Sequence, residues 1–234
     1  MPYSTVIFDL YLTLVHGYSY TEHEQLVSKM AGILQAPDPP AFARLFSHET
    51  WPERGTGRLP TIQANIEAIF QRLDWPIEPE RVAEAARLRR EFTANALVPL
   101  PGALEALEAV RARGYRTALI SDCSEETPLL WEQTPFASLM DVAIFSCEVG
   151  MLKPEPGIYD IACQRLRVAP AACVYVGDRE EELLGARKVG MRAIQSLPPH
   201  QDTYEARDAN RPTWDGPVIP SVAALPALLD ALRA

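Results

Sequence analysis

The chain has 234 residues, of which 47% are hydrophobic and 23% are charged, a mixture typical of a globular protein that can bury a sizeable core. Its 22 basic and 31 acidic residues give a formal net charge of −9, which argues against a general basic face that binds nucleic acid or an anionic membrane. No uninterrupted apolar run approaches the ~18 residues of a membrane helix, and the first residues lack the basic start of a signal peptide.

Short apolar runs rich in strand-forming residues recur along the chain and predict β-strands. In chain order they are 6–8, 117–120, 142–145, 174–176, 192–194 and 218–219. The predicted helices between them cover about 102–113, 158–166, 180–189 and 221–232. Continuous apolar strands that alternate with amphipathic helices predict an α/β fold, a doubly wound parallel sheet covered on both faces.

Residues 15–97 have a different hydrophobic pattern, because apolar side chains recur there at helical spacing without strand-like alternation. Examples are Leu26, Met30, Ile33 and Leu34, then Ile62, Ile66, Ile69 and Phe70. This pattern predicts an all-helical insertion, a cap domain at 15–97, within an α/β core domain formed by 1–14 and 98–234. Within the insertion, the Gly- and Pro-rich segment 51–60 (WPERGTGRLP) predicts a loop between helices.

The carboxyl ends of the predicted strands carry polar side chains, and ligands of open parallel sheets bind beyond those ends. The residues delivered there are Asp9, Ser121, Asp122, Lys153, Asp178 and the glutamates at 180–182. Carboxylate oxygens suit Mg²⁺, which can bridge an anionic substrate to a nucleophile. An aspartate nucleophile suits a covalent phosphoryl or acyl intermediate. For Asp178, helix capping together with Glu181 is an equal alternative, and Asp122 matches no role that the sequence supports.

Four segments at strand ends form an ordered set of motifs: 8–14 (FDLYLTL), 119–121 (LIS), 150–156 (GMLKPEP) and 176–182 (VGDREEE). In this order they resemble the motifs of the haloacid dehalogenase superfamily of hydrolases, the fold of many small phosphatases. The resemblance covers about 1–15 and 98–234, and the helical insertion falls where that superfamily carries its cap. Four motifs in the family's order are a specific signal, whereas one alone is weak.

The resemblance implies a role for each motif position. Asp9 would be the nucleophile, Ser121 would hydrogen-bond the transferring group, and Lys153 would neutralise the charge between Asp9 and the substrate. The implied cofactor is Mg²⁺, and its implied ligands are Asp9, Asp178, the backbone carbonyl of Tyr11, and Glu182. The cap would close over the site as a lid and contribute substrate contacts.

Arg54 and Arg58, in the segment 51–60, are the candidate substrate-binding residues of the cap. A polar loop between helices can move with a lid, so we expect one of the two to face the cleft at Asp9 when the cap is closed. The alternative is that both are solvated, as arginines on protein surfaces usually are.

Three positions depart from the phosphatase pattern. Tyr11 stands where the phosphatases carry an aspartate that acts as general acid and base, Leu12 stands in place of glycine, and Glu182 replaces a second metal-site aspartate. A tyrosine two residues after the nucleophile instead resembles the 2-haloacid dehalogenases, which attack a carbon–halogen bond without a metal. The acidic run at 178–182 conflicts with that assignment, since four acids there make little sense without a cation.

These signals leave three functions open. We favour a Mg²⁺-dependent phosphoester hydrolase that forms an aspartyl-phosphate; the alternatives are a metal-free 2-haloacid dehalogenase and a nearly silent member that binds a metabolite or partner. The expected partner is a small anionic molecule, and no sequence pattern predicts an oligomeric state. The four cysteines form no CxxC pair and have no histidine at zinc spacing, which favours reduced thiols and a cytoplasmic location.

Overall fold

A six-stranded parallel sheet forms the centre of the structure, a computed structural model that describes residues 3–200, 202–203 and 212–232. The strands are β1 (Thr5–Phe8), β2 (Arg116–Ser121), β3 (Val142–Phe145), β4 (Cys173–Gly177), β5 (Arg192–Ser196) and β6 (Val218–Ile219). They lie in the order β3-β2-β1-β4-β5-β6, and each neighbouring pair is parallel. The strands lie where the apolar runs predict them, and the α/β prediction is confirmed.

Helices cover the sheet and fill the insertion. They are α1 (Tyr20–Ile33), α2 (Pro39–Arg44), α3 (Trp51–Gly55), α4 (Ile62–Arg72), α5 (Pro79–Ala96), α6 (Ala103–Ala112), α7 (Glu126–Trp131), α8 (Ser146–Val149), α9 (Pro156–Leu166), α10 (Glu180–Lys188) and α11 (Leu225–Ala231). A π-helical turn at Leu45–Glu49 joins α2 to the segment before α3, and short 3₁₀ turns precede β3, β4 and α11. Over the described ranges, none of these helices is long and apolar enough to cross a bilayer.

The sheet is doubly wound because its strands are apolar on both faces. In β1, Val6 and Phe8 belong to the hydrophobic cluster formed with α6 and α11, whereas Ile7 belongs to the cluster formed with α9 and α10. All four residues of β1 are fully buried, as expected for a central strand of a parallel sheet. This burial fixes where β1 ends, and therefore where Asp9 lies.

Helices α1–α5 form a cap between β1 and β2 with a hydrophobic cluster of its own, built around residues such as Met30, Phe46 and Ile66. The two connections to the core run side by side. The N–H of His16 donates to the carbonyl of Val98, and Val15 bridges to Pro99. The inserted helical cap is therefore confirmed, and we propose that its bounds are the predicted 15–97.

The prediction of a loop over all of 51–60 is wrong for its first half, which forms α3. Pro52 lies in the first turn of this helix. Backbone N–H groups in the first turn form no hydrogen bond within a helix, so proline loses nothing there, and its fixed φ suits the helix. The Gly and Pro content of the segment therefore marks a helix start and a turn rather than one long loop.

The cap touches the core closely at Gly57, which turns the chain after α3 with a φ of +72°. A Cβ atom at this position would lie 2.0 Å from the backbone carbonyl oxygen of Cys147, the second residue of α8. Nearby, the N–H of Ile62 at the start of α4 donates to Glu125 Oε1 of the core at 3.1 Å. These contacts hold the cap against the core beside the strand ends.

Gly57→Ala should therefore weaken cap docking. The left-handed backbone alone costs a non-glycine residue about 1–2 kcal/mol, and the Cβ must also displace a carbonyl. We expect a lower melting temperature and faster proteolysis within the cap.

Gly32→Ala is the matched control, because a Cβ there meets nothing within 4 Å in α1. It should leave stability unchanged or raise it by about 0.5–1 kcal/mol. Equal melting temperatures for Gly57→Ala and the wild type would contradict this account of the cap–core contact.

Candidate active site

A cavity of about 360 Å³ lies between the carboxyl ends of the strands and the cap. On the core side it is lined by Asp9, Tyr11, Leu12, Asp122, Lys153, Asp178, Arg179 and Glu182. On the cap side it is lined by Tyr18, His23, Ser47, His48, Trp51 and Arg54. The structure thus brings most of the predicted site residues together in one place, while their chemical roles stay predictions.

Lys153 lies at the centre of the core side, with only 1% of its side chain exposed. Its Nζ contacts Asp9 Oδ1 and lies 2.7 Å from Glu182 Oε2. The same Nζ donates to the Tyr175 hydroxyl at 3.2 Å and to the Ile120 carbonyl at 3.3 Å. A buried ammonium group is stable only with such partners, so Lys153 is held in one position against Asp9.

The charges of this cluster influence one another. Burial raises the pKa of Asp9 to about 6, against the opposing effect of Lys153 and with a further increase from Glu182. Burial alone would lower the pKa of Lys153, but Asp9 and Glu182 outweigh it and hold that pKa well above its ordinary value. At neutral pH the pair is therefore a carboxylate facing an ammonium group, the state that a nucleophilic Asp9 needs.

Glu182 is a predicted metal ligand, but its carboxylate contacts other side chains instead. Its Oε2 accepts from the Tyr175 hydroxyl at 2.9 Å besides contacting Lys153, and its Oε1 lies 3.6 Å from Arg179 Nη1. The glutamate arm is long enough to reach the lysine, so the carboxylate lines the cavity but is already engaged by Lys153, Tyr175 and Arg179. We therefore propose that Glu182 holds Lys153 in place and does not bind the metal directly.

Asp9 and Asp178 fit a magnesium site better. They follow the adjacent strands β1 and β4 and line the same cavity. Mg²⁺ commonly binds one or two carboxylates and keeps several waters, so these two and the Tyr11 carbonyl form a suitable set of hard oxygen donors. This set is sparse, and the part of the chain that the structure describes holds no group of three or more His, Cys, Asp or Glu side chains arranged around a metal position. The N-cap of α10 is Arg179 rather than Asp178, so the capping alternative for Asp178 loses its main support.

Tyr11 and Leu12 give the loop after Asp9 an unusual form. The Tyr11 hydroxyl shares a 2.8 Å hydrogen bond with Thr127 Oγ1, and burial holds the pKa of the phenol well above its ordinary value. Leu12 has a φ of +60°, in the left-handed region where a non-glycine residue costs about 1–2 kcal/mol. The family's glycine at this position thus has a physical reason, and Leu12 departs from it under strain.

The two polar residues after β2 have different environments. Ser121 is fully buried, lies outside the cavity lining, and its Oγ has no hydrogen-bond partner within the described chain. Asp122 lines the cavity, and its Oδ1 accepts the N–H of Lys153 at 3.0 Å. No role for Asp122 could be assigned from the sequence; the signal that could have found one was its place at a strand end, next to Ser121.

Of the two candidate arginines, the structure brings only Arg54 to the cavity. Arg54 is 3% exposed, its Nη1 donates to the Phe46 carbonyl at 3.0 Å, and its guanidinium lies 4.4 Å from the centre of the Phe46 ring. Arg58 lies beyond the turn at Gly57 and is exposed, outside the cavity lining. We therefore drop Arg58 from the expected substrate contacts.

His23 is a cavity residue that sequence spacing missed. It is buried and stacks on Tyr18, with ring centres 5.6 Å apart. Burial lowers the pKa of His23 to about 3, with smaller contributions from Arg89 and Arg54. The imidazole is therefore neutral at physiological pH and forms part of an aromatic wall.

A buried ion pair joins the cap to the core next to Tyr11. Arg89 Nε of α5 donates to Glu126 Oε1 of α7 at 2.7 Å, and the two side chains are 5% and 1% exposed. Burial alone would raise the pKa of Glu126, but Arg89, the hydrogen bonds of the carboxylate and Arg54 together hold that pKa below its ordinary value. Glu126 precedes Thr127, the partner of the Tyr11 hydroxyl, so cap docking and the nucleophile loop share one segment.

Comparison with known proteins identifies the family. The sequence model of the haloacid dehalogenase-like hydrolases matches residues 3–190. The chain therefore belongs to this family and is a hydrolase.

Its relatives include both phosphatases and dehalogenases. It is 26% identical over 156 residues to the glyceraldehyde 3-phosphate phosphatase of Methanopyrus kandleri, covering 64% of this chain and 66% of that one. It is 32% identical over 99 residues to the (S)-2-haloacid dehalogenase 4A of Burkholderia cepacia, covering 41% of this chain and 42% of that one. The matched segments thus span less than two thirds of these relatives.

A solved structure shows the same fold. It is a haloacid dehalogenase-family enzyme of Bacteroides thetaiotaomicron in a magnesium complex, with a TM-score of 0.66 and 13% identity. The match covers 89% of this chain and all of that one.

Glu126→Gln should destabilise the protein strongly, because it leaves Arg89 charged and buried without its partner. Breaking a buried pair in this way typically costs about 3–5 kcal/mol, which denaturant unfolding can measure.

The control is Glu91→Gln on α5, the helix that carries Arg89, where Glu91 forms an exposed pair with Arg87. Such i,i+4 surface pairs contribute about 0.3–0.5 kcal/mol. If the two variants lose the same stability, the Arg89–Glu126 pair does not hold the cap on the core.

Proposed function

We propose that the protein is a Mg²⁺-dependent phosphohydrolase that acts on small phosphate esters through an aspartyl-phosphate at Asp9. The observation that carries the proposal is the presence of Asp178 in the same cavity as Asp9 and Lys153, at the end of the adjacent strand. Among the described lining residues, four carboxylates are accompanied by three cationic side chains, those of Arg54, Lys153 and Arg179, and a metal ion would compensate the remaining negative charge. The phosphatase relative from Methanopyrus kandleri supports the same direction.

The chain's own residues would position and activate the nucleophile. Lys153 keeps Asp9 ionised and fixes its carboxylate at the end of β1, while Glu182 and Tyr175 fix Lys153. The contact of Ser121 with the transferring group, which the resemblance implies, is left out of this proposal, because the Ser121 side chain is fully buried and lies outside the cavity lining. Asp9 attacks phosphorus in line with the leaving oxygen, as phosphoryl transfer requires.

Asp9, Asp178 and the backbone carbonyl of Tyr11 would hold the metal ion. When bound, Mg²⁺ supplies positive charge that stabilises the phosphoryl oxygens. The magnesium complex of the Bacteroides thetaiotaomicron enzyme, which has the same fold, supports this cofactor.

The cap would set the substrate. Arg54 places one buried cation on the cap wall, beside Trp51 and the neutral His23. A cavity of about 360 Å³ suits a small anionic molecule rather than a macromolecule. The free cysteines, three of which are buried, favour a cytoplasmic location.

Calorimetric titration with Mg²⁺ tests the proposal. We expect one binding site in the wild type and a higher melting temperature by mass action, about 2.7 kcal/mol of stabilisation at 100 times the dissociation constant. Asp178→Asn should abolish or strongly weaken this binding, since it removes one of two carboxylate ligands.

Asp160→Asn, which removes an exposed carboxylate from α9, is the control and should bind Mg²⁺ like the wild type. The proposal fails if the wild type binds no Mg²⁺, or if EDTA leaves phosphate release from a panel of phosphate esters unchanged.

A metal-free 2-haloacid dehalogenase is the second candidate, and the observation that favours it is Tyr11. A phenol bonded to Thr127 stands where a phosphatase has its acid. The Burkholderia cepacia relative is an (S)-2-haloacid dehalogenase.

Turnover of 2-chloropropionate in ¹⁸O-labelled water separates the candidates. A dehalogenase hydrolyses an ester at the Asp9 carboxyl carbon, so the label enters Asp9 and EDTA has no effect. We expect neither halide release nor label in Asp9; finding both would replace the phosphatase by the dehalogenase.

A further inference from the structure

Hydrolysis of a phosphate ester at Asp9 needs a group that moves protons. The leaving alkoxide must gain a proton, and the water that later attacks phosphorus must lose one. Tyr11 stands two residues after Asp9, but its hydroxyl is bonded to Thr127 and its pKa is well above its ordinary value. Such a phenol is a poor base near neutrality. Another residue must supply this function if the site turns over ordinary esters.

The other carboxylates that line the cavity have different tasks. Glu182 is hydrogen-bonded to Tyr175 and paired with Lys153, and although burial would raise its pKa, Lys153, Arg179 and Tyr175 together hold it below its ordinary value. Asp178 is a proposed metal ligand. The histidines of the lining, His23 and His48, belong to the cap helices rather than to the strand ends.

Asp122 lies in the same cavity as Asp9, at the end of the neighbouring strand. It follows β2, Asp9 follows β1 and Asp178 follows β4, so three carboxylates stand at the ends of adjacent strands with Asp9 in the middle. Lys153 fixes two of them relative to each other, because its N–H donates to Asp122 Oδ1 at 3.0 Å while its Nζ contacts Asp9. Asp122 Oδ2 has no hydrogen-bond partner within the described residues, and the side chain lines the cavity.

We propose that Asp122 is the general acid and base of the hydrolysis, in the place of the carboxylate that Tyr11 lacks. This inference rests on the proposed phosphatase function. As Asp9 forms its bond to phosphorus and the phosphorus–oxygen bond to the leaving group breaks, protonated Asp122 gives its proton to the departing oxygen. Ionised Asp122 then takes a proton from water as the water oxygen attacks phosphorus and the Asp9–phosphorus bond breaks. The products are the alcohol and phosphate, and both side chains return to their starting states.

The electrostatics of Asp122 support this assignment. Burial raises its pKa to about 7; Lys153 and Arg179 oppose the increase and Glu182 adds to it. A general acid and base works best with a pKa near the operating pH, because both protonation states are then populated. An exposed aspartate near its ordinary value of about 3.9 would be almost entirely ionised.

The test compares Asp122→Asn with the wild type on phenyl phosphate and 4-nitrophenyl phosphate, with Mg²⁺ present. Asparagine retains an oxygen that can accept the Lys153 N–H, so the variant removes the proton-transfer group while keeping that contact. On phenyl phosphate, whose leaving group needs a proton, phenol release should fall by about 10²–10⁴-fold. On 4-nitrophenyl phosphate, the variant should release about one equivalent of nitrophenol rapidly and then stall as the phosphorylated enzyme.

A second variant tests the role of Asp122 in case asparagine disturbs the loop. Asp122→Ala should be slow on both esters and should be partly rescued by sodium formate, which supplies a small carboxylate. Asp160→Asn, a change of an exposed carboxylate on α9, is the control and should turn over both esters like the wild type.

The outcomes separate the two claims. If the wild type hydrolyses neither ester with Mg²⁺, the proposed function fails and the role of Asp122 fails with it. If the wild type is active and Asp122→Asn keeps both rates within about threefold, only the role of Asp122 is overturned. Equal slowing of both esters without a burst or formate rescue would make Asp122 a positioning residue for Lys153, which also overturns the proposal.

Discussion

The buried ammonium group of Lys153 is the interaction on which the site depends. A lysine with 1% of its side chain exposed is tolerated only because Asp9, Glu182 and Tyr175 surround its Nζ. These partners come from separate elements, the end of β1, the first turn of α10 and the middle of β4, so the charge is compensated only when these three elements pack together. The backbone of the same lysine adds Asp122 to the set. The packing of the sheet and the position of the nucleophile therefore depend on the same contacts.

The segment 122–127, directly after β2, connects the cap to the cluster around Lys153. Asp122 lines the cavity, Glu125 receives the first N–H of α4, Glu126 pairs with Arg89 of α5, and Thr127 bonds Tyr11. Cap docking and the loop after the nucleophile thus depend on neighbouring residues of one short stretch. A movement of the cap would therefore be transmitted to Tyr11 and Asp122 directly through this segment.

Much of this could be predicted from the sequence because the informative patterns are local. Strands buried on both faces appear as continuous apolar runs, so all the strand positions and the helical insertion were predictable. Asp9, Lys153 and Asp178 were predictable as a group because parallel strands bring their carboxyl ends to one edge. The resemblance in four motifs added the family.

The remainder depends on tertiary contacts that no spacing reveals. Whether Glu182 faces a metal or a lysine depends on the reach of its side chain into the folded site. Arg54 and Arg58 look alike in sequence, and only the turn at Gly57 separates the buried one from the exposed one. The partnership of Arg89 with Glu126 joins residues 37 positions apart.

The central claim is that Asp9, held by Lys153, attacks phosphorus and carries the phosphoryl group during turnover. Its most direct test is rapid acid quenching of the wild type with 4-nitrophenyl phosphate and Mg²⁺, followed by mass analysis of the peptides. The account predicts a phosphoryl group on the peptide 3–15, at Asp9, and none in Asp9→Asn treated in the same way. Steady release of phosphate with an unmodified Asp9 at every quench time, or equal turnover by Asp9→Asn, would contradict it.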